Sequence, residues 1–260
     1  MMRTRQEAWL NDQAFTAAHP ALLIQNVTEN PPKTAQKTVA RAGVDGAFLT
    51  ENRIEKRDIV IEFAVRERLN YAARAQAVER AAAWARNGGW LEIAQRPDLQ
   101  IWTVLTGFPA LGKPSEWNGT IMMILTAYAF PFWIEKIGSR CRSDGPITEA
   151  DLALSVTGTE PTELEAVIVP ATSGLTTVSI AVDEGAPFVL EGLSVAAGSP
   201  LRIGVDPYRL LCVESGGVGL LGKRTDTAFN PLTLRSGAHT IHVTTDAAAS
   251  VTLEARGVFL

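Results

Sequence analysis

The string Gly216-Gly217-Val218-Gly219-Leu220-Leu221-Gly222-Lys223-Arg224-Thr225 has the residue types and spacing closest to known chemistry. It contains Gly217-x-Gly219-x-x-Gly222, the spacing of a dinucleotide-binding turn. It also contains Gly217-x4-Gly222-Lys223, most of a phosphate-binding loop. Such a loop needs Ser or Thr after the lysine, because that hydroxyl ligates Mg²⁺. Arg224 stands there, and Thr225 comes one place late. Both motifs also need a helix directly after the loop, whose N-terminal N–H groups hold the phosphate. The polar run Thr225-Asp226-Thr227 and then Pro231 oppose a helix. The string is therefore expected to be a glycine-rich loop between strands.

His239 and His242 lie three apart. On a strand, such residues face opposite sides, so they are not expected to share a metal. His19 has no evident nucleophile partner, and no Gly-x-Ser-x-Gly elbow occurs. Asp183-Glu184 precedes Gly185 and reads as a solvated turn. No catalytic, cofactor-binding or metal-binding residue is assigned, and no cofactor is expected. Cys141 and Cys212 are the only cysteines and fall one in each half. A lone pair in a chain of 260 residues is no disulfide framework, so both are expected to be free thiols.

The chain is 46% hydrophobic and 20% charged, with a net charge of −4. That composition supports a buried core and gives no electrostatic case for nucleic acid. Residues 1–145 carry 18 Lys+Arg and 15 Asp+Glu, a net +3; residues 146–260 carry 6 and 13, a net −7. All six Trp lie before residue 134. This step predicts two domains, residues 1–138 and 146–260, joined by Gly138-Ser139-Arg140 and Ser143-Asp144-Gly145-Pro146. No run approaches 18 apolar residues, so no membrane partner is expected. The start leads into no apolar leader, which makes a cytoplasmic place of synthesis the expectation.

The first half should position its side chains on strands around one helix. Residues 52–67 alternate, with Ile59, Ile61, Phe63 and Val65 sharing one face. Residues 67–86 are Ala-rich and free of Gly and Pro, which predicts a helix. Leu69, Ala73, Ala77, Ala81 and Ala85 recur every four residues, giving it a small apolar face. It should end at Asn87-Gly88, where a left-handed residue can close it. Strands are expected near 90–95 and 100–106. Pro31-Pro32 and the polar run to Arg41 read as a loop. Asn118-Gly119 suits a type I′ turn between residues 108–117 and 120–130, predicting a long hairpin. Ile121 and Met123 alternate with Met122 and Ile124, so the ribbon is apolar on both faces and needs cover from its own domain or a neighbour. Trp117, Asn118, Gly119, Ile121 and Met123 are therefore the suspected assembly residues.

In the second half, strands are expected at 164–169, 176–183, 188–190, 201–205, 210–214, 240–244 and 250–256, with no helix. Seven short strands at this spacing argue for an antiparallel β-sandwich. The fold class is thus mainly β, with one α-helix in the first domain. Sandwiches of this kind also bind carbohydrate through exposed aromatics. Residues 146–260 offer Phe188, Tyr208, Phe229 and Phe259 and no Trp. Phe188 and Phe259 sit in strand patterns, which leaves a thin platform; glycan binding is possible but unsupported.

The order strand, helix, strand, strand, hairpin, with the lead-in Arg53…Arg57-Asp58-Ile59-Val60-Ile61 and the close Phe130-Pro131-Phe132-Trp133, resembles the N-terminal domain of siphophage distal tail proteins. The second half looks like that family's galectin-like sandwich. It does so through Gly192…Gly198-Ser199-Pro200-Leu201-Arg202-Ile203 and Pro231-Leu232…Ser236-Gly237-Ala238-His239-Thr240-Ile241. The resemblance implies a structural protein and not an enzyme. It implies a homohexameric ring built by the first domain, joining tail tube to tail tip or baseplate hub. The implied partners are copies of itself, a tail-tube protein and a tail hub or tip protein, and the implied place is the virion tail. A carbohydrate-binding adhesin is the alternative.

Overall fold

The structure, a computed structural model, describes residues 6–40, 47–66, 71–108, 120–206 and 209–260. The chain divides into two compact units, Met1–Trp133 and Ile134–Leu260. It is mainly β throughout. Among the described residues no helix is long and apolar enough to cross a membrane.

The first unit runs β1 (Ala8–Leu10), β2 (Gln13–Ala14), a single turn α1 (Phe15–Ala18), β3 (Leu22–Glu29), β4 (Lys33–Ala40), β5 (Ala47–Val65), α2 (Tyr71–Ala85), β6 (Gly89–Ile93), β7 (Arg96–Gly107) and β8 (Ile121–Ala127). Strands pair in the order β2-β1-β6-β7-β8-β5-β3, with β4 added to β5. The period-two pattern of β5 has the expected result: Ile59, Ile61 and Phe63 are all fully buried. Helix α2 buries Ala77, Val78, Ala81, Trp84 and Ala85, the small face expected from the sequence. Trp84 meets Phe15 edge-on at 5.2 Å, and its indole N–H donates to the Gln13 carbonyl at 2.8 Å. Phe15 meets Phe63 at 5.2 Å, so one aromatic column joins helix to sheet.

Gly88 closes α2. Its φ is +65°, and its N–H donates to the Ala85 carbonyl at 3.0 Å. A Cβ there would lie 2.5 Å from the Thr103 carbonyl oxygen, so only glycine fits. Asn87, just before it, is not left-handed.

Two elements of this unit differ from expectation. The polar run after Pro32, read as a loop, is strand β4, paired with β5 from Lys33↔Lys56 to Ala40↔Ala47. Both of its faces are exposed, so nothing forces the alternation that marks a half-buried strand. The second is hairpin register. A two-residue turn at Asn118-Gly119 would set Gly107 opposite Phe130, but its partner is Ile124. Residues 109–119, where the turn is expected, lie outside the described residues.

β9 (Trp133–Glu135) spans the junction of the units in sequence. The second unit continues with β10 (Ser139–Arg142), β11 (Ile147–Val156), β12 (Thr162–Glu163), β13 (Glu165–Pro170), β14 (Leu175–Val182), β15 (Phe188–Val195), β16 (Leu201–Val205), β17 (Leu211–Ser215), β18 (Val218–Gly219), β19 (Thr233–Leu234), β20 (Gly237–Ala255) and β21 (Val258–Phe259). It is an antiparallel β-sandwich whose two layers share β20. The first half of β20 pairs with β11 and β14, placing His242 beside Asp151 and Ala181. The second half pairs with β13 and β10, placing Leu253 beside Ala166 and Cys141. At the crossing, Asp246 accepts from the Thr176 and Thr177 N–H groups, each at 3.0 Å. The sequence predicts two strands here, because the buried positions between Val243 and Val251 are Thr245, Ala247 and Ala249, which carry little apolar signal. The stretch read as linker includes β10, an ordinary strand of the sandwich. Val178, Ile180, Phe188, Ile203, Val243 and Val251 are buried in the core between the layers.

Candidate assembly site

β5 is 19 residues long because it serves two partners in turn. Residues 47–56 pair only with β4, whereas β8 joins at Arg57 and β3 at Ile59. β4 and residues 47–56 thus form a two-stranded arm with both outer edges unpaired among the described residues. Val39 and Leu49 near its tip are 47% and 55% exposed. An isolated ribbon of this kind is marginal in water, and open edges are templates for another chain's strand.

A charged cluster fixes the root of the arm. Arg57 is only 1% exposed and pairs with Glu29. Arg96 donates from Nε to Glu29 Oε2 at 2.8 Å, and the Trp133 indole N–H donates to Glu29 Oε1 at 2.7 Å. The Arg96 guanidinium lies 5.3 Å from the centre of the Trp133 ring. One carboxylate therefore serves two guanidinium groups and an indole. Burial pushes the Arg57 pKa down, the Arg96 charge adds to that, and Glu29 opposes it. Next in the chain, Asp58 accepts from Thr126 Oγ1 at 2.7 Å and meets Lys33 Nζ at 3.2 Å. Burial pushes Asp58 up, but the Thr126 and Lys33 hydrogen bonds with the Lys33 and Lys56 charges outweigh it, and its pKa falls below the usual value. Glu29 ends β3 and Lys33 starts β4, so both ends of their short connection are tied to the two residues at which β5 changes partner.

Of the suspected assembly residues, Trp117, Asn118 and Gly119 lie outside the described residues. Ile121 and Met123 are 6% and 0% exposed and pair across from Phe63 and Ile61. Both are already buried within the single chain. Met122, on the opposite face of β8, is 56% exposed. Sequence reasoning did not find Glu29, Arg57, Arg96 and Trp133 as a group. They are far apart in the chain, and no spacing rule connects them.

The glycine string is a hairpin. Gly216 and Gly217 take φ of 58° and 79° between paired Ser215 and Val218, as a type I′ turn requires. The short 3₁₀ turn Leu221–Lys223 follows, and no α-helix. Arg224 pairs with Asp226 at 2.7 Å and lies over the Phe188 ring, so it ties the loop to the sandwich. His239 and His242 have separate partners, Asp183 at 2.9 Å and Asp151 at 2.7 Å. Among the described residues no group of three or more His, Cys, Asp or Glu could hold a metal. Cys141 and Cys212 are both free.

The class that this fold defines becomes concrete on comparison with solved structures. No protein-family model matches the chain, and no curated protein matches it in sequence. The SPP1 Dit (gp 19.1) protein, described as a paradigm of the hub adsorption apparatus in phages infecting Gram-positive bacteria, superposes with a TM-score of 0.66 at 13% identity. The match covers 98% of this chain and 99% of that one. A chain of the phage P2 baseplate in its activated conformation with Ca matches with a TM-score of 0.55 at 9% identity, over 97% and 98% of the two chains. The chain shares the fold of these phage proteins from end to end.

Proposed function

We propose that the chain is a structural component of a siphophage tail, a distal tail protein. It forms a homohexameric ring through its first unit and joins the tail tube to the tail tip or baseplate hub. The observation that carries this reading is the end-to-end likeness to SPP1 Dit, across both units and in one order. The arm supports it, because a ribbon whose edges are unpaired among the described residues, with Val39 and Leu49 exposed, is suited to a neighbouring copy. The hairpin of the first unit contributes Met122 and the residues around Asn118-Gly119 to the same assembly. The protein is not an enzyme in this reading. Its partners are its own copies, a tail-tube protein and a tail hub or tip protein, and its place is the virion tail after synthesis in the host cytoplasm.

Electron microscopy of the purified chain, alone and mixed with the tail-tube and hub proteins made from neighbouring genes, tests this. Six-fold annular particles are expected. Single compact particles under every condition contradict it.

A further inference from the structure

The sandwich carries an open groove of about 460 Å³ on a face that the ring reading does not use. Asp183, Gly185, Phe229, Asn230, Arg235 and His239 line it. Phe229 is 93% exposed, more than any other large apolar side chain described. A single exposed apolar residue is ordinary. Here, however, the ring stands beside a fixed set of donors and acceptors.

His239 organises that set. Its Nδ1 faces Asp183 Oδ2 at 2.9 Å and its Nε2 faces the Arg235 carbonyl at 2.7 Å. A carboxylate and a carbonyl only accept, so this arrangement favours the imidazolium, which donates from both ring nitrogens. Asp183 also accepts the Thr240 N–H at 2.9 Å, yet its side chain remains 51% exposed. Each carboxylate oxygen has a further lone pair for a ligand. Arg235 and Asn230 are exposed at the rim and supply donors.

This mixture selects among ligand classes. With both nitrogens committed, His239 cannot bind a metal. A polyanion is opposed by Asp183 and by the net −7 of residues 146–260. A sugar ring offers what the groove lacks: hydroxyls that both donate and accept, and an apolar C–H face that lies against an aromatic ring. We propose that this groove binds a neutral saccharide, with Phe229 under the sugar's C–H face and Asp183, Asn230 and Arg235 on its hydroxyls.

Saturation-transfer NMR on the full chain tests the site. The probes are glucose, galactose and N-acetylglucosamine, each as the monosaccharide and as a linear tetrasaccharide. Saturation of the ring C–H protons of at least one probe is expected, with affinity in the millimolar range usual for an open site. Phe229→Ala should weaken binding about tenfold or more, which is 1.4 kcal/mol or more. Its melting temperature should stay unchanged, because the ring packs on nothing. Val218→Ala, at an exposed position on the glycine hairpin, should leave binding as it is. No transfer to any probe, or equal transfer with Phe229→Ala, overturns the proposal.

Discussion

At the residue scale, the cluster around Glu29 makes the sharpest demands. Glu29→Gln keeps the shape but leaves buried Arg57 without its counter-ion. Breaking a buried pair from one side costs about 3–5 kcal/mol. Urea unfolding should show a loss of that order, while a loss under about 1 kcal/mol would mean that solvent or Asp58 takes over the charge. Gly88→Ala combines a positive φ with a clash on the Thr103 carbonyl, and should destabilise by about 2 kcal/mol or more. Lys223→Ala should change stability by less than about 0.5 kcal/mol and should abolish no nucleotide binding. The pair His239–Asp183 gives a pH dependence. Burial lowers the His239 pKa, but hydrogen bonds to the Arg235 carbonyl and Asp183 raise it above its usual value. The His239 hydrogen bond holds Asp183 below its usual value. The histidine's contribution is full below its unfolded pKa of about 6.5 and is lost as pH rises through the folded value. The aspartate's contribution is present above about 3.9 and is lost as pH falls through its folded value. The melting-temperature difference between the native chain and His239→Gln should therefore be largest near pH 5 and shrink by pH 8. A difference that grows toward pH 8 would contradict the imidazolium assignment.

Elements show why part of this molecule can be read in its sequence and part cannot. β5 and α2 were legible because burial on one side imposes a period, as Ile59, Ile61, Phe63 and Ala77, Ala81, Ala85 do. The sandwich strands were legible for the same reason, and β16 was bounded correctly from Leu201 to Val205. β4 was not, because the arm buries neither face and therefore has no pattern. β20 reads as two strands in the sequence because the buried positions at its middle are Thr245, Ala247 and Ala249, whose small or polar side chains hide a face that stays buried throughout. The site was the least legible part. Sequence pointed to the hairpin, two of whose suspected residues are core, while the arm and its charged root depend on contacts between β3, β5, β7 and Trp133. In the proposed ring, the assembly role falls to the arm. Replacing residues 34–55 with a short Gly-Asn turn should leave the melting temperature of the first unit nearly unchanged and abolish self-association. Loss of fold before loss of assembly would make the arm a structural part of the single chain.

For the whole molecule, the two compact units carry opposite net charge, +2 for residues 1–133 and −6 for residues 134–260, and each has its own core. Residues 134–260 expressed alone should form a soluble monomeric β-domain, and residues 1–133 should retain the self-association. Oligomers of the second piece with monomers of the first would assign the ring to the wrong unit. The central claim is the ring itself, and light scattering coupled to gel filtration of the full chain at high concentration tests it most directly. The predicted mass is six times the 28.0 kDa of one chain. A mass of one chain at every concentration, unchanged by the tail-tube and hub proteins, would contradict it.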